Sequence, residues 1–321
     1  MSRYGRWGLT ALFAGAAVGA LSIGAVGTAQ AGALAYSNLA VSNFQIFGGG
    51  TQLDVSDFAT LNIGNFSKAE AVLNGTGIAN TNPTDVPLQC LGTCTSGQNN
   101  FARQAGLGQF ARGDSVLTGA AVSGVPNTTN AANANAVAEV QLTNPGNGTS
   151  GGNVGTATEF NFALGNTQAL DFRFTANPQM EVLLDQPQLQ AFAGTAFSIT
   201  ITQAGAGEVF RWTPDGSTGG VFGTGATELS DPNSLNTSIS VLSQDSDFYD
   251  PGPGFYQALT PVLTAGTVYR LSINHEQAAN AEFAAGPPQP PTPVPEPATL
   301  GILGIGLVGL GALSRRRNSV R

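Results

Sequence analysis

Four segments of the chain alternate apolar and polar residues with a period of two. In "EFNFALG" the apolar positions are Phe160, Phe162 and Leu164, and in "LDFRFTA" they include Phe172 and Phe174. In "AFSITIT" they are Phe197, Ile199 and Ile201, and in "VYRLSIN" they are Tyr269, Leu271 and Ile273. Successive side chains of an extended backbone point to opposite faces, so each segment offers one face to a core and one to water. The pattern predicts half-buried strands. Turn signals separate them, "NPGNG", "PDG" and "DPGPG", in which Pro fixes φ and Gly or Asn accepts positive φ. The expected fold is all-β, an antiparallel β-sandwich or jelly-roll-like body.

Other stretches carry less contrast. "TNAANANAVAEVQL" and "NHEQAANAEFAA" suit short helices, yet Ala138, Val140 and Leu142 in the first also alternate as in a strand. Both stay open between helix and strand. The Gly- and Asn-rich run from Asn144 to Gly155 reads as a surface loop of one sandwich, with a divider between two subdomains as the alternative. No repeat of fixed period is present.

The two ends differ from the body. Arg3 and Arg6 precede an apolar, Gly- and Ala-rich run that closes on Ala29-Gln30-Ala31. That order predicts a signal peptide over residues 1–31, cut by signal peptidase after Ala31, with Ala33-Leu34-Ala35 as a second site and an uncleaved anchor as the alternative. Near the other end Ala298 to Leu313 is an apolar run of 16 residues. As a helix it is roughly 24 Å long, against a hydrocarbon core of about 30 Å. Its five glycines lower helix propensity, which suits a temporary anchor over 298–314. The basic tail 315–321 then stays cytoplasmic by the positive-inside rule, leaving the body, residues 32–286, outside. Before the span, the Pro-rich linker 287–297 is held extended and solvated, because its prolines lack donors.

Pro295-Glu296-Pro297, the Ala-Thr-Leu and Gly-rich apolar run that follow, and the cluster Arg315, Arg316 and Arg317 resemble the PEP-CTERM sorting signal. The resemblance covers about the last 30 residues and is accompanied by the signal-peptide pattern. It implies processing by exosortase, a transpeptidase-like membrane protease of Gram-negative bacteria associated with extracellular polysaccharide production. It further implies transient anchoring in the inner membrane and delivery to the cell surface or exterior.

Charge narrows the partners. In residues 32–286 the only basic side chains are Lys68, Arg103, Arg112, Arg173, Arg211 and Arg270, against 19 acids, a net of −13. A phosphate backbone is repelled by such a surface, so nucleic acid is excluded, and a cation or a neutral polysaccharide suits it better.

Chemistry-bearing residues are few. Cys90 and Cys94 are the only cysteines, and export predicts that they pair, which stiffens one short loop. "RGDSV", Arg112 to Val116, brings to mind a hydrolase serine, but the lone histidine, His275, has Ser272 where such enzymes need an acid. One histidine also excludes multi-histidine zinc chemistry. Asp245, Asp247 and Asp250 share one stretch and make a candidate calcium loop, with a solvated acidic loop as the default and no other cofactor expected. Tyr249, Tyr256 and Trp212 are candidates for stacking on a sugar, with core packing the simpler reading. The expected function is that of a non-enzymatic exported protein of the cell surface or matrix, structural or associated with exopolysaccharide. The alternatives are a glycoside-hydrolase-like enzyme using paired carboxylates, of which no pair can be chosen, or a calcium-dependent carbohydrate-binding module.

Overall fold

A computed structural model describes residues 32–104, 108–154, 158–187 and 189–284. In chain order its strands are β1 (Ala33–Gly48), β2 (Thr51–Gln52), β3 (Phe58–Gly64), β4 (Ser67–Leu73), β5 (Thr76–Asn82), β6 (Asp85–Gly92), β7 (Phe110–Thr118), β8 (Ala132–Leu142), β9 (Gly146–Val154) and β10 (Thr158–Leu164). These are followed by β11 (Leu170–Leu184), β12 (Leu189–Gln203), β13 (Gly207–Trp212), β14 (Val221–Phe222), β15 (Thr227–Ser230), β16 (Thr237–Leu242), β17 (Ser246–Tyr249), β18 (Gly254–Leu259) and β19 (Val268–Phe283). One sheet runs β15-β18-β11-β1-β8-β7-β6, with β17 also on β11 and β2 on β1. The other runs β14-β13-β12-β19-β9-β4-β5, with β16 on β12, and β10 on β19 with β3 beyond it. Neighbouring strands are antiparallel and the two sheets pack face to face, as the alternation predicts.

All four alternating segments lie in strands, within β10, β11, β12 and β19. The two stretches left open between helix and strand are also strands: Ala132–Leu142 is β8, and Asn274 to Phe283 completes β19. The expected surface loop is overturned as well, since Gly146–Val154 is β9 and lies between β19 and β4 inside its sheet. Close approach of the sheets explains why so Gly-rich a segment belongs there. A Cβ on Gly113 of β7 would come within 2.5 Å of Glu70 O on β4, and one on Gly152 of β9 within 2.7 Å of Val137 O on β8. Those obstacles are backbone and cannot swing aside, so glycine sets the spacing here.

The sandwich has two cores. At one end Phe44, Phe160, Phe162, Phe172, Phe174, Phe197, Phe210, Trp212, Tyr256 and Tyr269 fill the space between the sheets. Phe174 lies against four other rings, with centroids 5.5 Å from Phe44, 5.0 Å from Phe197, 5.5 Å from Trp212 and 5.1 Å from Tyr256. At the other end the contacts come from alanines at 33, 35, 71, 111, 138, 191, 193, 279 and 281, with a few Val, Leu and Met residues. The β1 strand serves both ends through a bulge. Its register shifts between Ser42 and Gln45, with Asn43 at φ 53°, so the inward set changes from Leu39 and Val41 to Phe44 and Ile46.

A seam separates the two cores. Along β11 the partner changes from β18 to β17 between Ala176 and Met180, along β12 from β16 to β13 between Thr195 and Ile199, and along β19 from β10 to β9 between Ile273 and Glu276. Buried polar side chains follow this seam. Ser37 gives its hydroxyl proton to Gln277 Oε1 at 2.6 Å, and Gln277 Nε2 donates to Thr195 Oγ1 at 3.0 Å. Asn236 takes the place of a missing strand beside Phe197, accepting from its N–H at 3.0 Å and donating to its carbonyl at 2.8 Å. The described chain begins and ends side by side at the alanine end, where a Cβ on Gly32 would lie 2.9 Å from the Phe283 ring.

Candidate functional site

Cys90 and Cys94 form a disulfide with Cα atoms 6.3 Å apart, at the edge where β6 runs into residues 93–104. Among the described residues no three His, Cys, Asp or Glu side chains group to hold a metal, and the structure draws the acidic stretch out rather than gathering it. Asp245 and Asp250 flank the extended strand β17, which spreads the stretch over roughly 16 Å. Asp245 and Asp247 each accept from the next residue's N–H, and Asp250 accepts from Gln179 Nε2. The sugar-stacking candidate is overturned in favour of the simpler reading, core packing. Trp212 and Tyr256 are 0% exposed in the aromatic core, with the indole N–H bound to Glu228 Oε1 at 2.6 Å and the Tyr256 hydroxyl to Asn233 O at 2.9 Å. Tyr249 is half-buried and its hydroxyl donates to Ser234 O at 3.0 Å. In "RGDSV" the Ser115 hydroxyl faces inward and donates to Lys68 O at 3.2 Å. Ala29, Ala31, Pro295, Glu296, Pro297, Arg315, Arg316 and Arg317 lie outside the described residues, as does the expected helix 298–314.

A different surface offers itself. On the outer face of the β19 sheet a shallow trough of about 440 Å³ crosses the strands. Register lines up Ser238, Gly194 and Ala278 on adjacent strands, three small residues that make a low floor, and Gly151 follows them on the next strand. One wall is Phe192, 38% exposed on the outward side of β12, with Asn280 beside it in the register. The opposite wall carries Glu276, and a smaller depression next to it is lined by Lys68, Glu70 and Gly151. Lys68 and Glu70 form an ion pair across one residue of β4. Gly194 is necessary to the shape, because a Cβ there would come 2.9 Å from the Phe192 ring and push it off the sheet. Phe192 has a sequence signal that the period-two reading passes over: in "LQAFAGTAF" Leu189, Ala191 and Ala193 point inward, so Phe192 is a large apolar residue on the solvent phase. The floor residues have no such signal, since Gly, Ala and Ser carry little contrast.

The other concentration of charge is closed. Arg112 of β7 and Glu139 of β8 form an ion pair at 2.7 Å with both side chains wholly buried on the outer face of the β1 sheet. Residues 93–104 lie over them as a third layer. Arg112 donates to Asn100 O at 2.8 Å and Ala102 O at 2.5 Å, while Glu139 accepts from Gln104 N at 3.0 Å. Burial pushes the Glu139 carboxyl up, with the Arg112 guanidinium the main opposing influence. Asp114 beside them accepts from Asn99 N at 2.7 Å and is pushed up to about 6, chiefly by burial and against the pull of that N–H. With each guanidinium nitrogen bound to the chain and the side chain wholly buried, this cluster fastens the 93–104 segment and presents nothing to a substrate.

Residues 293–317 match the family model described as the PEP-CTERM protein-sorting motif. The chain carries that motif, which marks it as an exported surface protein with exosortase as its processing partner. No curated protein matches the chain. Among the described residues no helix is long and apolar enough to cross a membrane.

Proposed function

We propose that the exported body is a non-enzymatic protein of the cell surface or extracellular matrix that holds polysaccharide in the trough across the β19 sheet. The observation that supports this most is the trough itself: a floor of Ser238, Gly194 and Ala278 running across three strands, continued by Gly151 into the neighbouring depression, with one exposed ring along its wall. A ring of that kind covers the apolar face of a sugar, while hydroxyls and carboxylates take its edge. Ser238, Asn280 and Glu276 supply such groups. Around the trough Glu276, Glu70 and Glu282 outnumber Lys68, while Arg211 and Arg270 lie toward the other end of the same face, which favours a neutral glycan over a polyanion.

The same face argues for holding rather than cutting. A glycosidase sets two carboxyl groups about 5–9.5 Å apart astride the scissile bond. Glu70 and Glu276 line one small depression, their backbones roughly 12 Å apart by strand geometry, and Glu70 is engaged by Lys68 in an ion pair rather than left to act with Glu276. The sorting motif supports the location, since it belongs to proteins processed at the membrane and passed outward.

Size-exclusion chromatography of the exported protein with purified exopolysaccharide from the producing cells tests the reading. Co-elution without shortening of the polymer, lost in Phe192→Ala, is the expected result. Shortened polymer would make the protein an enzyme, and absence of co-elution would remove the trough from consideration.

A further inference from the structure

The aromatic half contains a cavity of about 210 Å³ that the trough does not reach. Val41, Phe44, Phe160, Phe197, Ile273 and Ala134 are among the apolar groups that wall it, and the segment between β7 and β8 closes it from outside. That segment is tied down like an extra strand: Ile46 N donates to Ala121 O at 3.0 Å and Val55 N to Ser123 O at 3.0 Å. Exposed Thr128 and half-buried Gly119 and Val125 form its solvent side.

One side chain in the wall does not match its surroundings. His275 is 2% exposed and sits on β19 at the seam, between the residues paired with β10 and those paired with β9. Its ring meets Phe197 edge to face, with centroids 6.2 Å apart. The Leu39 backbone approaches it, but neither ring nitrogen makes a hydrogen bond of ordinary geometry. Burial lowers its pKa to about 4, so at neutral pH the imidazole is uncharged, with one N–H to give and one lone pair to receive. A buried polar group left in that condition destabilises the fold until something pairs with it. Water is a poor remedy, because a buried water needs two to four polar partners and these walls are mostly hydrocarbon; of the other polar side chains in the wall, Thr128 already donates to Val125 O at 2.9 Å and Asn65 has a partner of its own.

We infer that this cavity is a binding site for a small uncharged molecule with an apolar body and a single hydroxyl group, of the size of an alkylphenol, which pairs its hydroxyl with His275. Size sets the body: an apolar cavity of roughly 150 Å³ accepts benzene, and about 210 Å³ leaves room for a ring with two small substituents. Chemistry sets the head. A hydroxyl both donates and accepts, as a neutral imidazole does, whereas a carboxylate would have to leave water for walls that hold no cation.

The chain has one histidine, so its imidazole resonances report on this site without ambiguity. Full-length exported protein is titrated with p-cresol, toluene and p-toluate, following heat and the ¹H–¹⁵N signals of His275. The expected order is p-cresol over toluene by roughly three- to tenfold, the contribution of one net hydrogen bond, with p-toluate weakest. The His275 signals should move with p-cresol and stay nearly fixed with toluene. His275→Phe should remove the preference. Should that variant not fold, the wild-type comparison stands on its own. Equal affinity for p-cresol and toluene, preference for p-toluate, binding without a His275 shift, or no binding of any of the three would each overturn the inference.

Discussion

The aromatic half of the sandwich and the alanine half are built on the same long strands, β1, β11, β12 and β19, yet they hold their sheets together by different means. In the aromatic half each ring brings a large apolar area and the sheets stand apart to admit it. Wide spacing has a consequence: rings do not tile the space completely, and the cavity at His275 lies among them. In the alanine half little apolar area is available per residue. There the sheets close until backbone meets backbone at Gly113 and Gly152, and a third layer is fastened outside by the Arg112–Glu139 pair. The difference teaches that one sandwich can draw on ring burial at one end and on backbone proximity with a buried charge lock at the other. The seam where three strands exchange partners is where the two solutions meet.

One substitution in each half should produce the largest effects. Phe174→Ala removes a ring in contact with four others and should cost about 3–5 kcal/mol in denaturant unfolding. Glu139→Ala should cost a similar amount, about 3–5 kcal/mol, for another reason: it leaves the Arg112 charge buried without a counter-ion. The two losses differ in their remedy. Replacing both Arg112 and Glu139 with apolar residues of similar volume should recover most of the stability, because no orphaned charge remains. A double variant as unstable as Glu139→Ala would show that the alanine half depends on the ion pair itself.

A smaller loss is expected where the sheets touch. Gly113→Ala adds one methyl group against Glu70 O and Gly151 O and should cost about 1–3 kcal/mol. The contrast is Gly205, in the β12–β13 turn, where a Cβ meets nothing within 4 Å and any cost comes from its φ of 81° alone. If Gly113→Ala were no worse than Gly205→Ala, backbone proximity would not be what joins the alanine half.

These two kinds of construction also explain what could be read from the sequence. Strands of the aromatic half announce themselves because Phe, Ile and Leu alternate with Asn, Arg, Ser and Thr, as in β10 and the start of β19. In β8, β9 and the end of β19 the inward residues are largely Ala and Gly, as small as many outward ones, so periodicity loses its amplitude. What makes β9 a strand is the sheet opposite it, a relation no local window contains. The site residues follow the same division. The Cys90–Cys94 pair is local and legible, whereas Tyr256 stands near acids and Trp212 before a turn signal in the sequence, and what buries them is β11 and β12 from far along the chain.

The smallest effect should come from pH, because the groups involved act in opposite directions and partly cancel. In the alanine half Asp114 is raised from 3.8 to about 6 by burial, with Asp85 adding to the rise and Arg112 opposing it. Between those values the folded chain keeps a proton that the unfolded chain has released, so this stability is complete below about pH 4 and is lost as pH rises toward 6. Glu139 acts in the same direction, as does Asp231, which burial lifts to about 6 although it accepts from Asp215 N and Gly216 N. At the seam His275 is lowered from 6.5 to about 4, so between those values it is the unfolded chain that holds the extra proton. Its contribution is present above about pH 6.5 and is lost as pH falls toward 4. Denaturation midpoints of the wild type, Asp114→Asn and His275→Phe, measured from pH 4 to 8, separate the two. Asp114→Asn keeps an acceptor for Asn99 N and should flatten the decline from pH 4 to 6, with Asp231 and Glu139 supplying what slope remains. His275→Phe should do the reverse, gaining on the wild type as the solution is acidified below pH 6.5. Profiles parallel to the wild type in both variants would mean that neither group carries the linkage, and the two halves would then differ in packing alone.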